Sequence, residues 1–325
     1  MNATICSVGA YLPPKRVTNN DLALMIDTSD EWIRSHTGIG SRHLAENETT
    51  SEMATAAAMQ ALSNSDICAD ELDMIIVSTS TPDYIGFPAT ASIVQHNIGA
   101  TRSGAFDLGA ACTGFVYALE CGRGLISSGV ARNVLVIGAE KLSSLINWKD
   151  RSTCVLFGDG AGAVLLSVCE DDRGFLASRL RSDGSGAEAL IVRAGGTKNP
   201  IRGQSIPEED LYISMDGRRV YNFAVQVNTE LFQFLPSEAG ISIDEIKYIV
   251  PHQANVRIIK AAAKRAGIPL EKFYLNIEEY ANTSAASIPI ALNDLWQNRQ
   301  LKTGDIVLTL GFGSGLTYGG QLIRL

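Results

Sequence analysis

The sequence predicts an α/β protein in which mixed sheets are covered by helices and two related halves pack face to face. Short β-branched runs recur between longer amphipathic stretches: 74–77, 134–137, 163–166, 248–250 and 306–308. That alternation favours strands and helices sharing one core. An internal echo supports the duplication, because Ile67, Asp70, Glu71, Leu72 and Ile75 align at one constant offset with Ile241, Asp244, Glu245, Ile246 and Ile249. Each copy reads as a helix end, an acidic turn and a buried strand; chance could also produce so common a pattern. Two halves, 1–170 and 171–325, fit the length, and a functional site is expected at their seam.

Composition sets outer limits. The 325 residues are 46% hydrophobic and 19% charged, with 30 glycines, 10 prolines and no low-complexity tract, so the whole chain is expected to fold. A net charge of -8 with dispersed Lys and Arg argues against a nucleic-acid partner. No secretory leader or apolar run of roughly 20 residues is visible, which points to a cytoplasmic protein with no membrane association. Cys6, Cys68, Cys112, Cys121, Cys154 and Cys169 form no CxxC pair, and His36, His43, His96 and His252 show no HxxxH spacing. No metal site is therefore expected. Most of the thiols, Cys121 and Cys154 among them, read as core residues.

Cys112 differs in its setting. The run 104–108 reads as a strand, Gly109 to Gly114 are small residues, and 115–119 continue at helical spacing towards a stop at Gly129. A sulfur at such a strand-to-helix turn faces unpaired amides and the positive end of the helix dipole. Its pKa is then expected to fall from about 8.5 into the range of roughly 3.5 to 7.5, which makes a nucleophile. The alternative is a small core residue.

The second half supplies possible partners. His252 follows the strand 246–250 and precedes a helix beginning near Val256, the strand-end position where α/β sheets carry chemistry; a capped structural His is the other reading. Asn282 precedes an apolar helix containing Pro289 and is equally explained as its N-cap. Gly311, Gly313 and Gly315 follow the strand at 306–310, where inward-turned amides could form an oxyanion hole or a plain hairpin turn. Gly158 to Gly162 lacks the GK[ST] ending of a nucleotide loop and reads as a structural turn.

The ordered set of these motifs resembles the beta-ketoacyl-acyl-carrier-protein synthases III of the thiolase fold. It comprises Asp30-Glu31-Trp32-Ile33 with Thr37-Gly38-Ile39, Ala111-Cys112-Thr113-Gly114-Phe115, Phe157-Gly158-Asp159-Gly160-Ala161-Gly162, Pro251-His252-Gln253-Ala254-Asn255 and Asn282-Thr283-Ser284-Ala285-Ala286-Ser287. The resemblance spans essentially the whole chain and implies a homodimer of five-layered αβαβα subunits. It also implies that Cys112 accepts an acyl group from acyl-CoA, typically acetyl-CoA, and that malonyl-acyl-carrier protein is then decarboxylated and condensed to a 3-oxoacyl product.

By the same resemblance His252 and Asn282 donate hydrogen bonds to the enolate, and the amides of Cys112 and Ser314 hold the oxyanion. Trp32 and Arg151 resemble the pair that sandwiches the CoA adenine, and Gly217 and Asn255 resemble positions along the pantetheine tunnel. Phe87 (from the partner subunit), Leu142 and Phe157 look like acyl-pocket residues. Arg257, Lys264 and Arg265 would form a carrier-protein docking face, unless they are an ordinary solvated helix face. CoA thioester is a substrate here and no cofactor is implied. His36 stands where many members carry a basic residue, and Ser314 where they often have glycine. Rival readings are a starter enzyme or acyl transferase of specialised metabolism and a non-catalytic carrier-protein scaffold.

Overall fold

The computed structural model describes residues 2–203 and 205–325. Strands β1 (Asn2–Tyr11), β2 (Met74–Ser78), β3 (Gly104–Leu108), β4 (Asn133–Glu140) and β5 (Gly160–Cys169) form one sheet in the order β1-β5-β4-β2-β3. β2 runs parallel to both β3 and β4, whereas β5 is antiparallel to β4 and β1. Strands β6 (Gly174–Ser182), β7 (Ile246–Pro251), β8 (Ile306–Gly313) and β9 (Thr317–Arg324) form the second sheet in the order β6-β9-β8-β7. β7 and β8 are parallel and the other pairs antiparallel. The two orders coincide when β6 is matched to β1, and a single parallel bridge from Ile249 to Phe273 stands where the first sheet has its fifth strand.

The helices complete five layers, αβαβα. Helices α1 (Thr50–Ser63) and α2 (Thr90–Asn97) cover the outer face of the first sheet, α3 (Gly114–Ser127) and α6 (Ser287–Gln297) lie between the sheets, and α4 (Gly217–Ala239) and α5 (Val256–Ala266) cover the second. Composition explains the central pair. A helix packed between two sheets must present apolar residues to both; Phe115, Val116 and Leu119 of α3 and Ile288, Ala291 and Leu292 of α6 share one core with Val136 of the first sheet and Val307 of the second. Pro289 is tolerated there because it lies in the first turn of α6, where no intrahelical amide is needed.

The sequence echo has a local cause. Glu71 accepts the backbone N–H of Cys68 at 2.9 Å, and Glu245 that of Ser242 at 2.8 Å, so the same reciprocal cap turns each outer helix into its sheet. Close approach at the seam needs glycine: a Cβ on Gly138 of β4 would meet the Ala285 carbonyl oxygen at 2.3 Å. Only the hydrogen side chain lets the first sheet touch the turn that precedes α6.

Cysteine burial is mixed. Cys112, Cys154 and Cys169 are buried, but Cys121 is exposed and so is Cys68. The core expectation for Cys121 is corrected: it lies on the one face of α3 that leaves the core. No helix among the described residues is long and apolar enough to cross a membrane.

Candidate active site

Three segments converge at the seam: the turn Ala111–Thr113 ahead of α3, the turn Ser284–Ala286 ahead of α6, and the end of β8. Ala111 and Ser284 both have left-handed φ, 48° and 51°. Each costs about 1–3 kcal/mol for a residue with a Cβ, the kind of strain that collects at functional sites. The strained turns bring Ser284 Oγ to 3.3 Å from Cys112 Sγ and 3.0 Å from Glu140 Oε1.

Cys112 is only 8% exposed. Burial pushes its thiol up to about 12; the Ser284 hydroxyl pulls it down and the Glu140 charge pushes it up further. The lowered pKa expected from the helix dipole is therefore corrected. A dipole is worth roughly 0.3–2 kcal/mol, whereas full desolvation moves a group by up to about 3–5 pKa units, so burial wins. The resting residue is a thiol.

His252 emerges from β7 with its N–H donated to the Leu310 carbonyl at 2.8 Å, and its ring packs at a steep angle against Phe312, centroids 5.4 Å apart. Burial pushes its pKa down to about 3, so the ring is neutral at any working pH. Nδ1 lies 2.7 Å from Ser287 Oγ, which also accepts the Gln253 N–H. Asn282 is fixed by backbone pairing with Leu156 and Gly158, and its Oδ1 accepts the Ser284 N–H at 2.8 Å. Since a backbone N–H can only donate, the amide orientation is set and Nδ2 remains the donating end. The N-cap expectation is thus corrected: the cap position of α6 is Ala286, and Asn282 instead holds the Ser284 amide in the turn before it.

At β8, the expected glycine loop is strand through Gly313 followed by a tight hairpin into β9. A Cβ on Gly311 would lie 3.7 Å from both the Cys112 carbonyl oxygen and His252 Cβ, so the two residues flank that position. A Cβ on Gly313 would sit 2.9 Å from the Cys112 nitrogen and 3.0 Å from that of Thr113. Gly313→Ala should therefore shift the turn and slow acyl transfer to Cys112 by about 100-fold, the scale of losing an oxyanion donor. Stopped-time mass spectrometry of the acylated protein checks this; acylation at the wild-type rate would remove the turn's amides from the chemistry. Ser314 donates its hydroxyl to the Leu190 carbonyl at 2.5 Å, which ties the hairpin to the strand Leu190–Val192.

Two family descriptions match the chain: 3-oxoacyl-[acyl-carrier-protein (ACP)] synthase III over residues 106–184 and its C-terminal part over 237–325. A beta-ketoacyl-[acyl-carrier-protein] synthase III of Clostridium perfringens (strain SM101 / Type A) is 47% identical over 325 residues, 100% of this chain and 99% of the relative. The chain belongs to the 3-oxoacyl-[acyl-carrier-protein] synthase III family. One from Caldanaerobacter subterraneus subsp. tengcongensis is 46% identical, covering 99% of this chain and 97% of the relative. The crystal structure of the Aquifex aeolicus VF5 synthase III superposes with a TM-score of 0.92 at 46% identity, covering 99% of this chain and 100% of that one. The thiolase fold expected from the motifs is thereby established.

The remaining predicted positions divide. A cavity of about 780 Å³ opens on Cys112 and is lined by Leu142, Phe157, Ile85, Ser284 and Ser314, so both of this chain's own expected acyl-pocket residues lie in it. Phe87 does not line it and is 86% exposed. Trp32 and Arg151 are together, but the guanidinium already lies 4.8 Å from the indole centroid and donates to the Asp27 carbonyl. A base between them would need about 7 Å, two van der Waals spacings, so it enters only if Arg151 swings out. His36 stacks on Trp32 at 4.4 Å. Asn255 and Gly217 do not line the cavity: Asn255 caps α5 through the Arg257 N–H and donates to the His36 carbonyl, and Gly217 opens α4. Sequence reasoning passed over Glu140 and quoted Ser284 and Ser287 only as letters of the motif that begins at Asn282, with no role; the turns bring Ser284 between Glu140 and Cys112 and Ser287 to His252.

Proposed function

We infer that the chain carries out the condensation that begins fatty-acid synthesis: a short acyl-CoA, with acetyl-CoA the expected primer, reacts with malonyl-acyl-carrier protein to give 3-oxoacyl-acyl-carrier protein and carbon dioxide. The observations that support the assignment of residues are that a side chain at Gly311 would lie 3.7 Å from both the Cys112 carbonyl oxygen and His252 Cβ, and that Asn282 Oδ1 holds the amide of Ser284, whose hydroxyl lies 3.3 Å from Cys112 Sγ beside a largely apolar cavity. Cys112 Sγ attacks the thioester carbonyl, the sulfur–carbon bond forms and CoA leaves as the thiol. The amides of Cys112 and Ser314 hold the oxyanion. Malonyl thioester then loses carbon dioxide, and the enolate oxygen is held by His252 and Asn282 Nδ2. The Ser287 hydroxyl, donated to Nδ1, leaves the His252 ring hydrogen on Nε2, so a neutral imidazole donates. Thioesters are substrates in this reading and no resident cofactor takes part. Condensation assays over a panel of acyl-CoA primers test it; turnover with none of them in the presence of malonyl-carrier protein would refute it.

Carrier protein, a second copy of the chain and a cytoplasmic setting complete the proposal. Tyr84, Ile85 and Phe87 form an exposed apolar loop beside the cavity, a surface suited to pairing in a homodimer. For the carrier, α5 exposes Arg257, Lys264 and Arg265, together with Lys260, which the sequence reading overlooked. Arg257, Lys260 and Lys264 recur at helical spacing and make a basic stripe, and none of the four cations has an ion-pair partner among the described residues. Arg257→Glu should raise the Michaelis constant for malonyl-carrier protein about tenfold at low salt, and less as ionic strength screens the charges. Steady-state kinetics with carrier protein and with acetyl-CoA check this. Equal losses toward both substrates, or a salt-independent loss, would place the carrier elsewhere.

A further inference from the structure

Glu140 ends β4 with no solvent exposure, facing the site. Its two oxygens are divided. Oε2 accepts the Ser80 N–H at 3.0 Å and the Thr81 hydroxyl at 2.9 Å, with Thr79 Oγ1 at 3.4 Å, while Oε1 accepts the Ser284 hydroxyl at 3.0 Å. A hydroxyl has one hydrogen to give, and the carboxylate is a stronger acceptor than sulfur. Ser284 Oγ lies within donating distance of both Cys112 Sγ, at 3.3 Å, and Glu140 Oε1, and can give its hydrogen to only one of them at a time; when Glu140 takes it, a lone pair of the same oxygen is free to accept the thiol hydrogen. The result is a buried chain of S–H to O–H to carboxylate.

We propose that Glu140, acting through the Ser284 hydroxyl, takes up the Cys112 thiol proton during acyl transfer. The proposal rests on the acylation of Cys112 inferred above. The thiol proton passes to Ser284 Oγ as the Ser284 proton passes to Glu140 Oε1, and the sulfur lone pair forms the bond to the acyl carbon. The sulfur–carbon bond to CoA breaks, and the departing CoA thiolate receives the proton, which regenerates the carboxylate. One negative charge occupies the buried site throughout, on the carboxylate before transfer and on the reacting sulfurs during it.

The electrostatics agree. Burial pushes Glu140 up to about 7, so the carboxyl changes ionisation near working pH, and its charge opposes a thiolate at Cys112. A thiolate and an ionised Glu140 thus exclude each other, and removal of the proton to Glu140 relieves the conflict. Among the described residues, the titratable group that feels the Glu140 charge is Cys112. The segment Thr79, Ser80 and Thr81 and the turn Ser284–Ala286 present no charge, β5 reaches it through Gly160, and Lys141, next in the chain, donates to the carbonyls of Glu46 and Glu48.

The test is single-turnover acylation of Cys112 by acetyl-CoA, followed by intact mass between pH 5.5 and 9, for wild type, Glu140→Gln and Ser284→Ala. Because the ionised carboxylate is the acceptor, the wild-type rate should rise with pH through a single ionisation near 7. Both variants should be about 100-fold slower or more, the scale of general-base catalysis, and flat across that ionisation. A variant that keeps the wild-type profile, or is slowed by one factor at every pH with the ionisation retained, would overturn the relay and leave Glu140 as an anchor for residues 79–81. If Glu140→Gln does not fold, Ser284→Ala decides alone, since it interrupts the chain and keeps the carboxylate. Absence of wild-type acylation would instead refute the function itself.

Discussion

Cys112→Ser should abolish acyl transfer while leaving the fold intact. The replacement is nearly isosteric and sits in a turn whose backbone is held by α3, β8 and the turn at Ser284, so nothing that shapes the site is lost. What changes is the nucleophile. An alkoxide is far more basic than a thiolate, and the same burial that pushes the Cys112 thiol up to about 12 would push a serine hydroxyl further from ionisation. Intact mass after incubation with acetyl-CoA should show one added acetyl on wild type and none on the variant. The exposed Cys68 and Cys121 supply an internal control, because they meet reagent freely but lack the amides and cavity around Cys112. An acetyl group retained by the variant at either of them would move the nucleophile away from Cys112.

How far the letters alone reach is set by the range of the forces involved. The strands, the long helices and the duplicated order were legible because periodicity, caps and β-branched runs are local. The echo at Glu71 and Glu245 is a cap repeated in both halves, visible because a capping box spans four residues. The places of Cys112, His252 and Asn282 in the fold, at a strand end or ahead of a helix, were legible because each lies in a local motif. The direction of the Cys112 pKa was not, since the dipole is a property of one helix while desolvation depends on every element around the sulfur. Cys121 was misread for a related reason: its neighbours are apolar, but the face of a helix that leaves a five-layered core is set by layers far away in sequence. Glu140 lies 28 positions beyond Cys112 and 144 before Ser284, and no spacing rule connects the three.

His252→Ala and Asn282→Ala should fail differently from Cys112→Ser. Neither side chain is needed to generate a thiolate: His252 is held neutral by burial and bonded to Ser287, and Asn282 spends its oxygen on the Ser284 amide. Both variants should therefore still accept one acetyl group from acetyl-CoA. Their loss should appear at decarboxylation, where each missing donor to the enolate oxygen costs roughly 3–4 kcal/mol of transition-state stabilisation, a 10²- to 10³-fold fall in carbon dioxide release from malonyl-carrier protein. The pH dependence gives a second check. A ring whose pKa is pushed down to about 3 does not change charge between pH 5 and 8, so decarboxylation should show no limb from His252 there. Protonation would matter only below that window, where the imidazolium would pay for its burial without a carboxylate beside it. Release of carbon dioxide at the wild-type rate by both variants would exclude them as enolate donors. Slow acylation matching slow decarboxylation would mean that they shape the Cys112 turn instead, and the division of labour between the two halves would be wrong.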